Sequence, residues 1–415
     1  MDEQDCVVVG GGPGGVVLAY LLARAGRRVT LLEARGDFDR RFRGDALAPA
    51  VLDFLDALGL ADEILARPHS TATAFTWHTS RRAYRVADYS TSSTHHPHYV
   101  LIPQPELLGL LAEKAAGFGG FTLRTGARVN GVLMDAGRVT GVRYRADGAH
   151  HEVKARLVVG TDGRFSQMRR LGRFESEELG AGLDILWFEV PRHPDDPPQS
   201  GLDYHSLPGR ALAVLGQGRT WQLGWVIPTG SVDEARTEGI GPLVDAVHER
   251  LPWLDERMAA LTDFTQLTLL NVRITRLARW YRPGLLLLGD AAHVISPVGG
   301  NGINLAIADA ADAANVLAPL LPDGSPEALD AACAGIEARR RAVSDAEQDD
   351  QVRAERGTLE RLRRGDPEPA WPLKVAAALP PLARAVGRRN ATGIAIPPPS
   401  ALVLGGPAGG PTGAA

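Results

Sequence analysis

The feature that most constrains this chain is Gly10-Gly-Gly12-Pro-Gly-Gly15, set between an apolar run and a helical one. Cys6 to Val9 is short and wholly apolar, the pattern of a strand buried on both faces. Val16 to Ala25 reads as a helix closed by Gly26, and Val29 to Leu32 as a second buried strand. Strand, tight turn, helix, strand is a βαβ unit, and its turn holds G-x-G-x-x-G. Gly10 permits the tight turn, Gly12 lets a pyrophosphate approach the backbone, and Gly15 lets helix pack on strand. An anion would rest on the free N–H groups of the first helical turn. Glu33 ends the second strand, where a carboxylate accepts from ribose hydroxyls and repels a 2′-phosphate. This predicts a bound FAD or NAD, and the motif by itself does not separate them.

A second glycine loop does. Gly284-Leu-Leu-Leu-Leu-Gly289-Asp290-Ala-Ala-His293 leads to Pro297-Val-Gly299-Gly300-Asn301-Gly302-Ile303-Asn304. An apolar strand ends in Asp290, and a glycine-rich loop then opens a helix over Asn304 to Leu317. A carboxylate there suits the hydroxyls of a ribityl chain. The loop N–H groups and the positive helix end suit the N1–C2=O edge of a reduced flavin. The plain alternative is a strand–turn–helix with Asp as its N-cap.

Composition bounds the rest. A chain of 415 residues has room for two or three domains, and 44% hydrophobic with 23% charged residues is ordinary for a globular protein. A net charge of −4 leaves no overall basic field for nucleic acid or anionic lipid. No apolar run approaches the roughly 18 residues of a membrane span. Two cysteines, Cys6 and Cys333, exclude a disulfide framework and a multi-cysteine metal site, so a reducing, cytoplasmic setting is expected. His95-His96-Pro97-His98 and His150-His151 read as exposed loop histidines, with no acidic partner at helical or hairpin spacing, and no metal is expected. Residues 326–364 are helical and highly charged, and the run Glu337 to Arg364 mixes both signs, which predicts a solvated helix, with a dimer contact as the minority alternative.

Three segments together resemble the fingerprints of the class A flavoprotein monooxygenases, the p-hydroxybenzoate hydroxylase family. They are Gly10 to Glu33, Leu157 to Arg170 (with Asp162-Gly163 and Ser166) and Gly289 to Asn304, in the family's order and separation. The resemblance spans about residues 1–320 in organisation. It implies an α/β fold: a Rossmann-type FAD-binding domain, GR2-like, with an inserted antiparallel β-sheet substrate domain and C-terminal helices. The expected boundaries are 1–71, 99–178 and 275–320 for the FAD-binding part, and 72–98 and 179–274 for the substrate part. A helical region would cover 321–395, and a disordered tail 396–415.

The resemblance also implies cofactor contacts. Gly10, Gly12, Pro13, Gly14 and Gly15 would hold the FAD pyrophosphate and Glu33 the ribose, with Ala34, Arg35 and Val129 also on the cofactor. Arg43 and Gln104 would contact its phosphate and ribityl region. Asp162 and Gly163 would serve both FAD and NAD(P)H, with Arg169 a further candidate for NAD(P)H. Asp290 would bind the ribityl, and Pro297, Gly299, Gly300, Asn301, Gly302, Ile303 and Asn304 would lie beside the isoalloxazine. In the implied reaction NAD(P)H reduces FAD, and O2 then forms a flavin C4a-hydroperoxide. Its terminal oxygen attacks an electron-rich aromatic, phenolic or polyketide-like small molecule. One such glycine motif implies that NAD(P)H binds transiently in a groove. The partners are then that substrate and O2, with no nucleic acid and no membrane, the chain being a monomer or homodimer.

The substrate pocket is less legible. Trp187, Tyr204, His205 and Trp225 are the pocket candidates, and alternation puts Trp221, Leu223 and Trp225 on one face. No catalytic base stands out. His293 reads as supporting the fold. A flavin-dependent desaturase or reductase would use the same motifs without inserting oxygen, and a non-catalytic flavin redox sensor is the alternative of another class. A halogenase is argued against because no lysine precedes Lys114.

Overall fold

The computed structural model describes residues 3–38, 46–92, 94–180, 182–197, 201–297 and 300–405. Two large sheets organise it. The first has eight strands, with Leu285–Leu287, Ala149–Gly160, Gln4–Val9, Val29–Leu32 and Phe121–Arg124 side by side and parallel. The antiparallel strand Tyr281–Arg282 extends one edge, and the strands Arg128–Asp135 and Arg138–Ala146 fold onto Ala149–Gly160. The central strands are continuous apolar runs because helices cover both faces. Their register decides where chemistry can occur. Val9 pairs with Leu32 and with Gly160, and Gly160 pairs with Leu287. Four carboxyl ends therefore finish in line. Gly10, Glu33, Thr161 and Leu288 emerge together at the edge where open α/β sheets bind ligands.

The second sheet has seven strands: Thr268–Leu270, Leu183–Pro191, Thr220–Pro228, Arg210–Gln217, Gly201–Leu207, Ala74–His78 and Ala83–Asp88. It is antiparallel except where Gly201–Leu207 meets Ala74–His78. Period-2 alternation sorts its side chains. Leu186, Phe188, Val190, Trp221, Leu223 and Trp225 form one apolar face, sealed by Leu243, Ala246 and Val247 of the helix Gly241–Arg250. On the opposite face Leu202, Leu215 and Phe75 pack against the core of the first sheet. At the carboxyl ends of the first sheet lies a cleft that Leu270 of the second sheet also lines.

The helix Pro326–Arg364 differs from the solvated helix its composition suggests. Ser325 caps its start by accepting from the Ala328 N–H at 3.2 Å, and Gly365 ends it in the left-handed region at φ 65°. One stripe of it is buried yet polar: Glu337, Arg340, Ser344, Gln348, Gln351 and Glu355. All but Ser344, which donates to the Arg341 carbonyl of its own helix, bond the backbone of neighbouring strands and loops, so the stripe carries no apolar period to read.

The expectation of disorder from residue 396 also needs correction, up to residue 405. Asn315 donates to the Pro398 carbonyl and accepts from the Ser400 N–H, both at 2.8 Å. The helix Ala401–Gly405 buries Val403, whose carbonyl accepts from Arg24 Nε at 2.9 Å. Small residues and prolines follow the surface closely, and side chains from two helices bond the backbone they leave bare. Residues 406–415 lie outside the described residues. Among the described residues no helix is long and apolar enough to cross a membrane.

Candidate functional site

The turn after the first strand has no room for side chains. Gly10 has φ +107°, and a Cβ on it would lie 2.6 Å from the Thr161 carbonyl oxygen. A Cβ on Gly15 would drive into the Gly10 carbonyl. Thr161 Oγ1 donates to that carbonyl at 2.8 Å, joining the two adjacent strand ends. The helix Pro13–Arg24 has Gly12 as N-cap and Pro13 at its first position, so no side chain occupies the first-turn N–H groups. The start of this helix is therefore shaped to receive an anion.

Glu33 is buried, and its carboxylate accepts from the Gly11 N–H at 2.6 Å and the Arg35 N–H at 2.9 Å. It braces the glycine turn as well as ending the second strand. Ala34 and Arg35 are exposed beside it, while the Val129 side chain is in the core. Arg43 and Gly299 lie outside the described residues.

The second glycine turn is held from behind. Gly289 has φ +57°, and its N–H donates to Asp309 Oδ2 at 3.0 Å. Asp309 is fully buried; it lies 2.6 Å from His293 Nε2 and accepts from Arg340 Nε at 2.8 Å. Burial pushes its carboxyl up, but His293 and Arg340 outweigh that and hold it down at about 2. His293 is thus part of the clamp behind the turn. Asp290 faces forward into the cleft, 3.3 Å from Arg164 Nε.

The cleft gathers Gly12, Pro13 and Gly14 from the first motif, Thr161, Gly163 and Arg164 from the second, and Gly289, Asp290, Pro297, Gly300, Gly302 and Ile303 from the third. Leu270 of the second sheet roofs it, and Gln104 stands at its margin. Three segments far apart in sequence converge there.

Several expected contacts are redirected. The Asp162 carboxylate accepts from Ser166 Oγ and from the Met168 N–H at 2.9 Å, capping the helix Gln167–Leu171. Burial raises its pKa despite those bonds. The cleft wall is built instead by its neighbours Thr161, Gly163 and Arg164. Arg169 donates to the Arg164 carbonyl and so steadies that wall. Asn304 is fully buried, accepting from the Ala48 N–H at 2.8 Å and donating to the Ala46 carbonyl at 2.9 Å. Asn301 donates to Glu347 at 2.8 Å. Gln351 donates to the same Glu347 at 2.9 Å and accepts from the Ser296 N–H at 2.7 Å. Both ends of the glycine loop are therefore fastened to the helix Pro326–Arg364. Sequence reading missed Arg164, Thr161, Asp309, Glu347 and Gln351. The first two flank a motif already noticed; the others sit in helices whose composition carries no signal.

The aromatic candidates separate. Trp187 packs with Ile185 and Val272 beside Leu270, against the roof of the cleft. Trp225 and His205 fall on the far side of the sheet, Trp225 under the helix Gly241–Arg250. Tyr204 packs tilted against Trp77, ring centroids 4.4 Å apart, under Leu359 and Leu362. Tyr204, His205 and Trp225 line neither this cleft nor the groove beside it, because strand alternation and the C-terminal helices turn them elsewhere.

That groove, of about 930 Å3, opens on the other side of Gln104. It runs along Phe188 to Pro191, which among the described residues pair only with the strand Thr220–Pro228. Phe188, Val190 and Leu261 give it apolar walls; Gln104, Gln217, Glu189, Arg219 and Arg257 give it polar ones.

Comparison with known proteins accords with this geometry. Residues 3–348 match the family described as "FAD binding domain". The chain is 34% identical over 344 residues to the 6-methylpretetramide 4-monooxygenase of Streptomyces rimosus, covering 82% of this chain and 80% of that one. It is 28% identical over 352 residues to the protoasukamycin 4-monooxygenase of Streptomyces nodosus subsp. asukaensis, covering 79% and 83%. The crystal structure of pqsL, described as a probable FAD-dependent monooxygenase from Pseudomonas aeruginosa, superposes with a TM-score of 0.74 at 27% identity, covering 88% of this chain and 98% of that one. The chain belongs to the FAD-binding domain family of flavoprotein monooxygenases. It is an FAD-dependent monooxygenase that uses O2 and a small-molecule substrate.

Proposed function

We propose that this enzyme hydroxylates a large, electron-rich aromatic molecule of polyketide type, held in the groove beside Gln104. The observation that carries this is the shared wall: Gln104 lines both the glycine-rich cleft and the 930 Å3 groove. A groove of that volume with apolar walls and a few polar groups suits a flat multi-ring compound. The relatives named for 6-methylpretetramide and protoasukamycin support the same substrate class.

The cleft suits FAD on its own chemistry. The glycine turn and the uncapped helix start fit a pyrophosphate, and Asp290 fits a polyhydroxyl chain at the far end. FAD supplies the electron relay between NAD(P)H and O2. The chain's residues bind and orient: Gly12 to Gly15 the phosphates, Asp290 with Arg164 the ribityl region, and the loop 297–302 the flavin edge. Leu270 and Trp187 keep water from the reacting side. In this reading residues 72–98 and 179–274 form the substrate part, and 1–71, 99–178 and 275–320 the FAD-binding part. Two buried, unbridged thiols support action in the cytoplasm.

The test is coupled turnover. The purified protein should be yellow, and phenolic multi-ring compounds should accelerate NAD(P)H oxidation and return a product with one added oxygen. NAD(P)H oxidation that no aromatic accelerates, with no oxygenated product, would favour the reductase reading.

A further inference from the structure

A second site lies on the surface, outside the flavin cleft. The segment after the strand Ala83–Asp88 carries His95, His96 and His98, which the sequence presents as loop histidines without an acidic partner. The fold supplies two. Asp53 and Asp56 stand one turn apart on the helix Pro49–Ala57. Asp53 accepts the backbone N–H groups of both His95 and His96, each at 2.9 Å. That pins the segment and directs both imidazoles at the next carboxylate. His95 Nδ1 is 2.8 Å from Asp56 Oδ2, and His96 Nε2 is 3.4 Å from the same oxygen. The two rings are 4.7 Å apart and tilted by 60°.

One carboxylate oxygen does not bond both rings well, since 3.4 Å is long for a hydrogen bond. The spacing suits an ion better. Ligand atoms about 2.0–2.1 Å from a tetrahedral zinc stand about 3.3 Å from one another. The three ligand atoms here all lie within 4.8 Å of one another. Two imidazoles and a carboxylate are a set that borderline divalent ions favour, and it leaves a position open to water. The His95 side chain is 75% exposed, so an ion can enter. His98 stands edge-on to His96, ring centroids 6.1 Å apart.

We propose that Asp56, His95 and His96 bind a divalent transition ion of the zinc type. The ion ties the helix Pro49–Ala57 to the segment leading into the strand Tyr99–Leu101. That strand pairs with Ala46–Leu47 and is followed by Gln104, so the ion braces the outer side of the flavin cleft. The site is independent of the substrate assignment.

The experiment uses untagged, metal-stripped holoprotein. Zn2+ is titrated by calorimetry, and Co2+ is followed by its visible d–d absorption beyond the flavin bands. One ion per chain with micromolar affinity is expected, together with a thermal midpoint that rises with Zn2+ concentration. His95→Ala, at an exposed side chain, and Asp56→Asn should each weaken Zn2+ by about tenfold or more. Their flavin spectrum and circular dichroism should match the parent's. The double variant His150→Gln/His151→Gln should bind as the parent does. Binding no tighter than millimolar, or binding that survives in the His95 and Asp56 variants, would overturn the proposal.

Discussion

Asp290 and Arg164 face each other on the cleft wall, their side chains 24% and 18% exposed. A carboxylate so placed can exchange its arginine for hydroxyl donors of a bound ribityl chain. Hydrogen bonds to a charged group are worth about 1.5–3 kcal/mol, so Asp290→Ala should raise the FAD Kd roughly 10- to 100-fold. Fluorescence titration of the apoprotein measures this, and an unchanged Kd would remove Asp290 from the cofactor site. His205 makes a different prediction. It is 5% exposed and stacks on His78 with ring centroids 4.3 Å apart, near Asp203 and Arg250. Burial, and then the neighbouring His78, lower its pKa from 6.5 to about 3. Below pH 6.5 the unfolded chain takes up a proton that the native state refuses. The stability given by this neutral ring is thus full above that pH and lost as pH falls toward 3. His205→Leu should flatten the acid limb of a profile of unfolding free energy against pH between those values by a few kcal/mol in all. An unaltered acid limb would show that the ring is not buried neutral.

The elements differ in how plainly they announce themselves. Cys6 to Val9 and Leu285 to Leu288 could be read directly, because a strand covered on both faces must be apolar throughout. The glycine turns could be read because the φ at Gly10 and Gly289 admits little else. The helix Pro326–Arg364 could be read as a helix but its buried stripe could not, since Glu337, Arg340, Gln348 and Gln351 look solvated until the backbone they bond is in place. Trp225 and His205 were misleading for a related reason: alternation assigns residues to faces without saying which face meets the cofactor. The clamp made by this helix is testable. Gln351→Leu keeps the volume but removes the acceptor of the Ser296 N–H and releases Glu347 from its amide. Losing a buried partner costs about 1–3 kcal/mol, so the thermal midpoint should fall by a few degrees. If the clamp shapes the flavin loop, the midpoint gain on adding FAD should shrink too. An equal fall with and without FAD would mean that Gln351 supports the fold alone.

At the scale of the whole molecule, the glycine-rich cleft and the wide groove are joined through Gln104, which lines both. The first sheet brings four strand ends into line and so builds the proposed cofactor cleft from residues as distant as Gly12 and Gly302. The second turns one face into its own helices and leaves Phe188 to Pro191 along a wide groove. If the cleft and the groove divide the labour, each can be damaged separately. Thr220 lies on the groove and pairs with Pro191, and it is not among the residues lining the glycine-rich cleft. Thr220→Trp should fill the groove while leaving the FAD content and visible spectrum of the purified enzyme unchanged. The aromatic substrate's KM should then rise by about tenfold or more, a loss of about 1.4 kcal/mol or more in binding, and NAD(P)H oxidation should no longer respond to that substrate. An unchanged KM would place the substrate elsewhere. Loss of flavin together with activity would mean that groove and cleft are not separate compartments.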